Sequence, residues 1–282
     1  MSPPEILISE FAGYCWGVER ALDLARDAAF NAKKPVCSFG PLIHNPEVIR
    51  QLEAQGLSVI EREEDARSGT VVVRSHGVER EVIERLQRRG LHVVDATCTF
   101  VKAAQEKAAR LRESGYLVVI LGEPAHPEVM GLRSYAGPDA LVVENSDMLP
   151  GELSSKRVGV VVQTTQSQER LAALVGALAS KVRELLVYNT ICNATEQRQQ
   201  SAQAVAASVD VVIVVGGRNS GNTTRLAEIC RAVQPNTHHI ELPDEIRKEW
   251  LEGCRRIGVT AGASTPPDQI EALVAHLKGV AS

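Results

Sequence analysis

Three cysteines, Cys15, Cys98 and Cys192, each close a short extended segment and open a helical pattern. This repetition constrains the fold more than any other feature of the chain. The segments read ILISEFAGYC-WGVERALDLARDA, HVVDATC-TFVKAAQEKAARLRESG and LVYNTIC-NATEQRQQSAQAVAASV. The cysteines stand 83 and then 94 residues apart, and 90 residues follow the third. Each third then continues alike. An apolar strand runs into a polar loop (PVCSFGPLIHNPEV, LVVILGEPAHPEVM, VVIVVGGRNSGNTTRL). A helix and a short strand ending in acidic residues follow (SVIEREEDA, LVVENSDML, THHIELPDEI). A further strand delivers a second polar loop ahead of a helix (VVVRSHGVEREVI, GVVVQTTQSQERL, IGVTAGASTPPDQI). Matching elements in one order across three stretches define an internal repeat.

The apolar runs at 71–73, 117–121, 158–162 and 211–215 read as buried parallel strands, and strand–helix alternation implies α/β architecture. The expected fold is therefore three similar α/β lobes in a pseudo-threefold arrangement around a central site. The expected limits are 14–97, 98–191, and 192–282 with 1–13 completing the third lobe. In parallel α/β units, ligands bind beyond the carboxyl ends of the strands. All three cysteines and all the polar loops occupy that position.

A net charge of −4 argues against a broad nucleic-acid surface, so an anionic ligand has to be met by a local set of donors. The start, MSPPEILISE, lacks a basic stretch followed by an apolar one, and no apolar run approaches the ~18 residues of a membrane span. The expected compartment is the cytosol. There, six cysteines without a C-x-x-C pair point to metal binding or plain burial rather than disulfides. Cys37, inside VCSFG, and Cys230, on the apolar face of LAEICRAV, read as buried small hydrophobes, and Cys254 as a bystander. The repeat-equivalent triplet reads as a ligand set. Three thiolates leave one position open: zinc would need a histidine or water there, and a cubane cluster would keep one iron without a protein donor. A helix N-terminus directly after each cysteine favours the thiolate.

The loops also supply polar candidates. His44, His76 and His126 each lie in a strand-to-helix loop, whereas His92, His238, His239 and His276 read as ordinary surface or core histidines. His44-Asn45-Pro46-Glu47 and His126-Pro127-Glu128 repeat one pattern, whose plainer reading is a helix start with proline in the first turn. The third repeat has Gly216 to Thr224 instead, with Ser220, Gly221 and Asn222 at a helix start suited to phosphate. With Ser264 and the histidines this makes a neutral-to-cationic donor set for a diphosphate. Glu128, beside Thr164 and Thr165, is the candidate proton donor. Its plainer role is a first-turn acid stabilising its helix by ~0.3–1 kcal/mol.

These residues resemble the 4-hydroxy-3-methylbut-2-enyl diphosphate reductase family, and the resemblance spans essentially the whole chain. It is carried by A-G-Y-C-W-G-V, G-P-L-I-H-N, R-S-H-G-V, D-A-T-C, H-P-E-V, Q-T-T-Q-S, T-I-C-N-A-T, N-S-G-N and A-G-A-S-T-P, in that order. The resemblance implies a [4Fe–4S] cluster with one open iron, held by Cys15, Cys98 and Cys192. It implies a substrate site of His44, His76, His126, Thr164, Ser220, Gly221, Asn222 and Ser264, with Glu128 as proton donor assisted by Thr164 or Thr165. The implied reaction removes an allylic hydroxyl reductively to give isopentenyl and dimethylallyl diphosphates. A ferredoxin- or flavodoxin-type electron donor is implied as partner, with neither nucleic acid nor membrane. Thr99 stands where the family favours proline, Gly221 where some members have serine, and Asn189 where aspartate is common. A hydro-lyase using the same open iron and a zinc-binding non-catalytic module are the competing readings.

Overall fold

The computed structural model describes residues 3–151, 153 and 157–280. Residues 1–2 and 281–282 of the expected third lobe, and residues 152 and 154–156 of the expected second lobe, lie outside the described residues. The valine- and isoleucine-rich runs form parallel strands, as β-branched side chains fit a pleated sheet covered on both faces. One four-stranded sheet comprises β2 (Val36–Phe39), β3 (Leu57–Ile60), β4 (Thr70–Val73) and β5 (His92–Asp95), in the order β3-β2-β4-β5. A second comprises β6 (Leu117–Leu121), β7 (Leu141–Val143), β8 (Arg157–Val162) and β9 (Glu184–Val187), in the order β7-β6-β8-β9. The third sheet is made of β10 (Val211–Val215), β11 (Thr237–Ile240), β12 (Arg256–Ala261) and the N-terminal β1 (Glu5–Ile8), in the order β11-β10-β12-β1. Among the described residues every pairing is parallel.

The three sheets thus share one order, and the third borrows its last strand from the start of the chain. The repetition extends to the turns. Gly40, Gly122 and Gly216, each directly after the first strand of its sheet, donate their backbone N–H to Ile60, Val143 and Ile240, the last residues of the neighbouring strands. Short 3-10 turns at Glu63–Asp65, Ser146–Met148 and Pro243–Glu245 follow the three acidic strand ends.

By density of contacts the chain forms two compact units, Met1–Val18 with His44–Val48 and Asn193–Ser282, and Glu19–Ile43 with Ile49–Cys192. The first unit contains the third sheet and the second contains the other two. We propose the lobe limits 14–97, 98–191, and 192–282 with 1–13 on the strength of the common sheet order.

Helices cover both sheet faces. In the second lobe Val158, Val160 and Val162 point to one side with Leu171, Leu174 and Leu178 of α6 (Gln168–Ala179), while Val118, Ile120 and Val161 point to the other. There they meet Ala104, Ala108 and Leu111 of α4 (Thr99–Glu113) and Val129 and Leu132 of α5 (Pro127–Ala136). The third lobe alternates likewise. Val211, Ile213 and Val215 face Leu273 and Leu277 of α9 (Pro267–Val280), whereas Val212 and Val214 face α7 (Asn193–Ala206) and α8 (Gly221–Val233). Cys37 and Cys230 are buried in these cores as expected, and Cys254 packs at the edge of one.

Two helices that open after cysteines press on glycines in the third strand of a sheet. A Cβ at Gly159 in β8 would stand 2.5–2.9 Å from three atoms of Leu111 on α4. A Cβ at Gly258, the same place in β12, would meet Val205 of α7 at 2.8 Å. Gly159→Ala is expected to destabilise the protein by ~1–3 kcal/mol through overpacking. Gly176→Ala, on a helix position with nothing within 4 Å, should instead add up to ~1 kcal/mol. Urea midpoints of the two variants check this pair, and similar shifts would contradict it.

Candidate active site

The residues singled out by the repeat occupy three equivalent places. The cysteines directly precede helices: α1 (Trp16–Asn31), α4 and α7. Each cysteine donates its backbone N–H to a carbonyl two residues beyond the third strand of a sheet: Cys15 to Ala263 at 3.3 Å, Cys98 to Ser75 at 3.0 Å, and Cys192 to Thr164 at 3.0 Å. That accepting carbonyl lies inside a tight turn in every case. Gly77, Gln166 and Thr265 donate to Arg74, Gln163 and Gly262, each at 3.0 Å. The next residue in these turns is His76, Thr165 or Ser264. His44, His126 and Ser220 form the third set, each five residues past the first strand of its sheet.

In the unit that contains the first two sheets, Glu128 is the central group. It is 1% exposed at the start of α5, and its carboxylate accepts from Thr164 N at 2.6 Å and from the Thr164 hydroxyl at 2.9 Å. Burial raises its pKa to about 7; the two Thr164 hydrogen bonds oppose that rise and the charge of Glu123 adds to it. His126 caps α5, its Nδ1 accepting from Glu128 N at 3.2 Å, which leaves the proton of the neutral ring on Nε2. The His76 ring meets the His126 ring edge-on, with centroids 5.6 Å apart. Gln163, fully buried, accepts from Glu123 N at 2.9 Å and donates to the Thr165 hydroxyl at 3.2 Å, tying the His126 loop to the threonine turn. Ser75 anchors the His76 turn through its hydroxyl on the Leu42 carbonyl at 2.9 Å.

The other unit assembles a second group. The Ser264 hydroxyl donates to the His44 carbonyl at 3.2 Å, and Asn45 Nδ2 donates to the Ser264 carbonyl at 3.0 Å. Asn45 Oδ1 also caps α2 (Pro46–Ala54) by accepting from Glu47 and Val48 N. A Cβ at Gly217 would lie 2.8 Å from the His44 carbonyl, so this close approach requires glycine. Ser220 caps α8 by accepting from Thr223 N at 3.3 Å. Asn222, in the first turn of α8, buries its Nδ2 without a hydrogen-bond partner. A buried amide donor left open in this way suits a ligand oxygen.

His238 stacks on Trp250 at 3.8 Å, His239 Nε2 meets the Gly216 carbonyl at 2.9 Å, and His92 lies exposed on β5. Of the three sequence departures, Thr99 is exposed at the start of α4, and Asn189 accepts from Ile191 N at 3.1 Å ahead of Cys192. Asp95 does the same for Thr97 ahead of Cys98 at 3.0 Å. Gln163 lies in QTTQS and Asn45 in GPLIHN, but nothing in the sequence alone assigns either a role. Among the described residues, no three His, Cys, Asp or Glu side chains group so as to hold a single metal ion. Cys15 lies in one compact unit and Cys98 and Cys192 in the other.

The model of the LytB protein family matches residues 6–278. The chain is 44% identical over 277 residues to a 4-hydroxy-3-methylbut-2-enyl diphosphate reductase of Anaeromyxobacter sp. (strain Fw109-5), covering 98% of each. It is 43% identical to the protein of that name from Aquifex aeolicus (strain VF5), covering 98% of this chain and 96% of the relative. A solved structure of (E)-4-hydroxy-3-methyl-but-2-enyl diphosphate reductase, described as the terminal enzyme of the non-mevalonate pathway, superposes with TM-score 0.72 at 43% identity over 98% of this chain and 99% of its own. The Plasmodium falciparum E-1-hydroxy-2-methyl-but-2-enyl-4-diphosphate reductase superposes with TM-score 0.91 at 25% identity, over 97% of this chain and 87% of its own. The chain belongs to the LytB protein family.

Proposed function

We propose that the chain reduces (E)-4-hydroxy-3-methylbut-2-enyl diphosphate, expelling its allylic hydroxyl as water to give isopentenyl and dimethylallyl diphosphates. Two electrons and two protons balance the step: one proton leaves with the hydroxyl, and the other enters the allyl unit at either end, which accounts for two products. The observation that carries this reading is Glu128, a buried carboxyl whose pKa of about 7 keeps a proton available near neutral pH.

Cys15, Cys98 and Cys192 would hold the iron–sulfur cluster. The donor set fits such a group, with one soft thiolate at each of three equivalent helix starts, where the helix dipole favours negative charge. A cluster takes one thiolate per iron, so its cysteines surround a volume rather than converge on a point. When bound, a [4Fe–4S] cluster with three protein ligands would supply single electrons and a Lewis-acid position at its open iron.

The chain's own groups do the rest. Glu128 gives its proton to the departing hydroxyl oxygen, and the Thr164 N–H and hydroxyl then stabilise the carboxylate left behind. Thr165, held by Gln163, is positioned to steady the substrate hydroxyl. His126 offers Nε2–H to a diphosphate oxygen, joined by His44, His76, Ser220, the Gly221 backbone, Asn222 and Ser264. No described helix is long and apolar enough to cross a membrane, and we place the enzyme in the cytosol with a one-electron carrier of the ferredoxin or flavodoxin type.

Purified without oxygen, the protein should contain iron and sulfide and oxidise reduced methyl viologen only when the diphosphate substrate is present. A cluster without substrate-dependent oxidation would refute the reductase reading. Glu128→Gln should retain iron and substrate affinity while turnover falls ~10²-fold or more, the scale of lost acid catalysis. Wild-type turnover should decline as pH rises through about 7, since Glu128 must enter the reaction protonated.

The same shift has a stability sign. Folding raises the pKa of Glu128 from 4.5 to about 7, so its contribution is full below pH 4.5 and lost as pH climbs through 7. Denaturant titrations across that window should show a flatter pH dependence for Glu128→Gln than for wild type. Asn222→Ala removes the open amide donor and should raise KM ~10-fold, the worth of one hydrogen bond to a charged group, with kcat little changed. An unaltered KM removes Asn222 from the diphosphate site.

A further inference from the structure

In two of the three lobes, the residue directly after the third strand lies over the glycine directly after the first. In the second lobe Gln163 covers Gly122, where a Cβ would stand 2.8 Å from Gln163 Oε1. In the first lobe Arg74 covers Gly40, where a Cβ would collide with Arg74 Nη1. The third lobe has Gly262 at this place, and Thr265 and Thr223 reach over Gly216 instead. Gly40 has φ +70°, so both its backbone conformation and the guanidinium above it call for glycine. Arg74 and Gly40 flank the crevice between β2 and β4, where the strand order of the first sheet reverses, and such crevices are where α/β sheets take ligands.

The two covering side chains differ in what they leave over. Gln163 uses both ends of its amide, Oε1 on Glu123 N and Nε2 on the Thr165 hydroxyl, so a neutral group suffices to tie loop to turn. Arg74 closes the His76 turn from both sides: its carbonyl accepts from Gly77 N at 3.0 Å, and its Nε donates to the Gly77 carbonyl at 3.2 Å. That engages one of the five N–H donors of a guanidinium. Among the described residues the Nη donors make no hydrogen bond or ion pair. Burial pushes the Arg74 pKa below its ordinary value, and the charge of the exposed Glu61 works against that from beyond ion-pair distance. A permanent charge held partly out of water, with a donor fork left over, suits an oxyanion.

We propose that Arg74 is an anion-binding residue of the first lobe, presenting its Nη fork at the β2–β4 crevice to the oxygens of a phosphate or diphosphate group. A guanidinium fork meets two such oxygens at once, whereas an ammonium acts as a point charge. The group belongs to a free anion or to the diphosphate end of the substrate; the second source rests on the reductase reading above, and the first does not.

The test titrates inorganic pyrophosphate into wild type, Arg74→Gln and Arg74→Lys by calorimetry. Arg74→Gln gives the first lobe the neutral side chain of the second, and its affinity should fall ~10-fold or more, as for lost hydrogen bonds to a charged group. Arg74→Lys keeps the charge without the fork and should fall in between. Equal affinity in wild type and Arg74→Gln, or no binding to wild type, overturns the proposal. Wild type alone gives a second measurement that no folding defect can blur. Phenylglyoxal, which modifies guanidinium groups, should label Arg74 more slowly when pyrophosphate is present, while the exposed Arg67 labels at an unchanged rate. Equal labelling of Arg74 with and without pyrophosphate overturns the proposal as well. Substrate kinetics then identify the source. A KM raised ~10-fold in Arg74→Gln, with kcat little changed, assigns the fork to the substrate's diphosphate, and lowered pyrophosphate affinity with an unaltered KM assigns it to a free anion. Wild-type protein without turnover would count against the reductase reading alone, and the calorimetry would still decide what Arg74 does.

Discussion

The hydrogen bond from each cysteine's backbone N–H to the turn beyond a neighbouring strand is the contact on which the site depends. It joins the start of one helix to the end of one sheet, and it recurs at Cys15, Cys98 and Cys192. The accepting carbonyl belongs to the residue next to His76, Thr165 or Ser264, so a cysteine and a group proposed to face the substrate share one anchored turn. Displacing either end moves both. A site built this way is held by backbone geometry rather than by long side chains, and it loses little freedom when a ligand arrives.

Much of this was legible in the chain. The apolar runs became β4, β6, β8 and β10, and the threefold order became three sheets of identical strand order, because buried parallel strands leave a compositional mark that needs no tertiary information. The pairing of Glu128 with Thr164 was likewise suggested by adjacent loops of one repeat. What did not show was who pins whom. Gln163 and Asn45 act through side-chain bonds to backbone groups that are neighbours only in space. Arg198 looks like any helical arginine in ATEQRQQS until Gly13 is placed beside it. Amphipathic pattern predicts an arginine outside, and here a distant carbonyl overrides it.

Glu128 illustrates how one residue can satisfy two readings. Its place in the first turn of α5 is where an acid stabilises a helix, yet full burial changes the balance. The cost of a buried charge exceeds the gain from the dipole and from the Thr164 donors, so the proton stays on until near neutrality. The first-turn position puts the carboxyl at a strand-to-helix loop, and the packing sets its acidity.

The strand that closes the third sheet carries a consequence for biosynthesis. Glu5 lies opposite Arg256 in the register of β1 with β12, and the two side chains also form an ion pair. On a ribosome β1 emerges well before its neighbour β12, by roughly 10–50 s at ordinary elongation rates. The first two sheets can pair as they appear, while the leading strand must wait with its edge unmatched. The last sheet to be completed is therefore the one that pairs residues 5–8 with residues 256–259. Anything that holds β1 away from β12 therefore acts on a late step of folding rather than an early one.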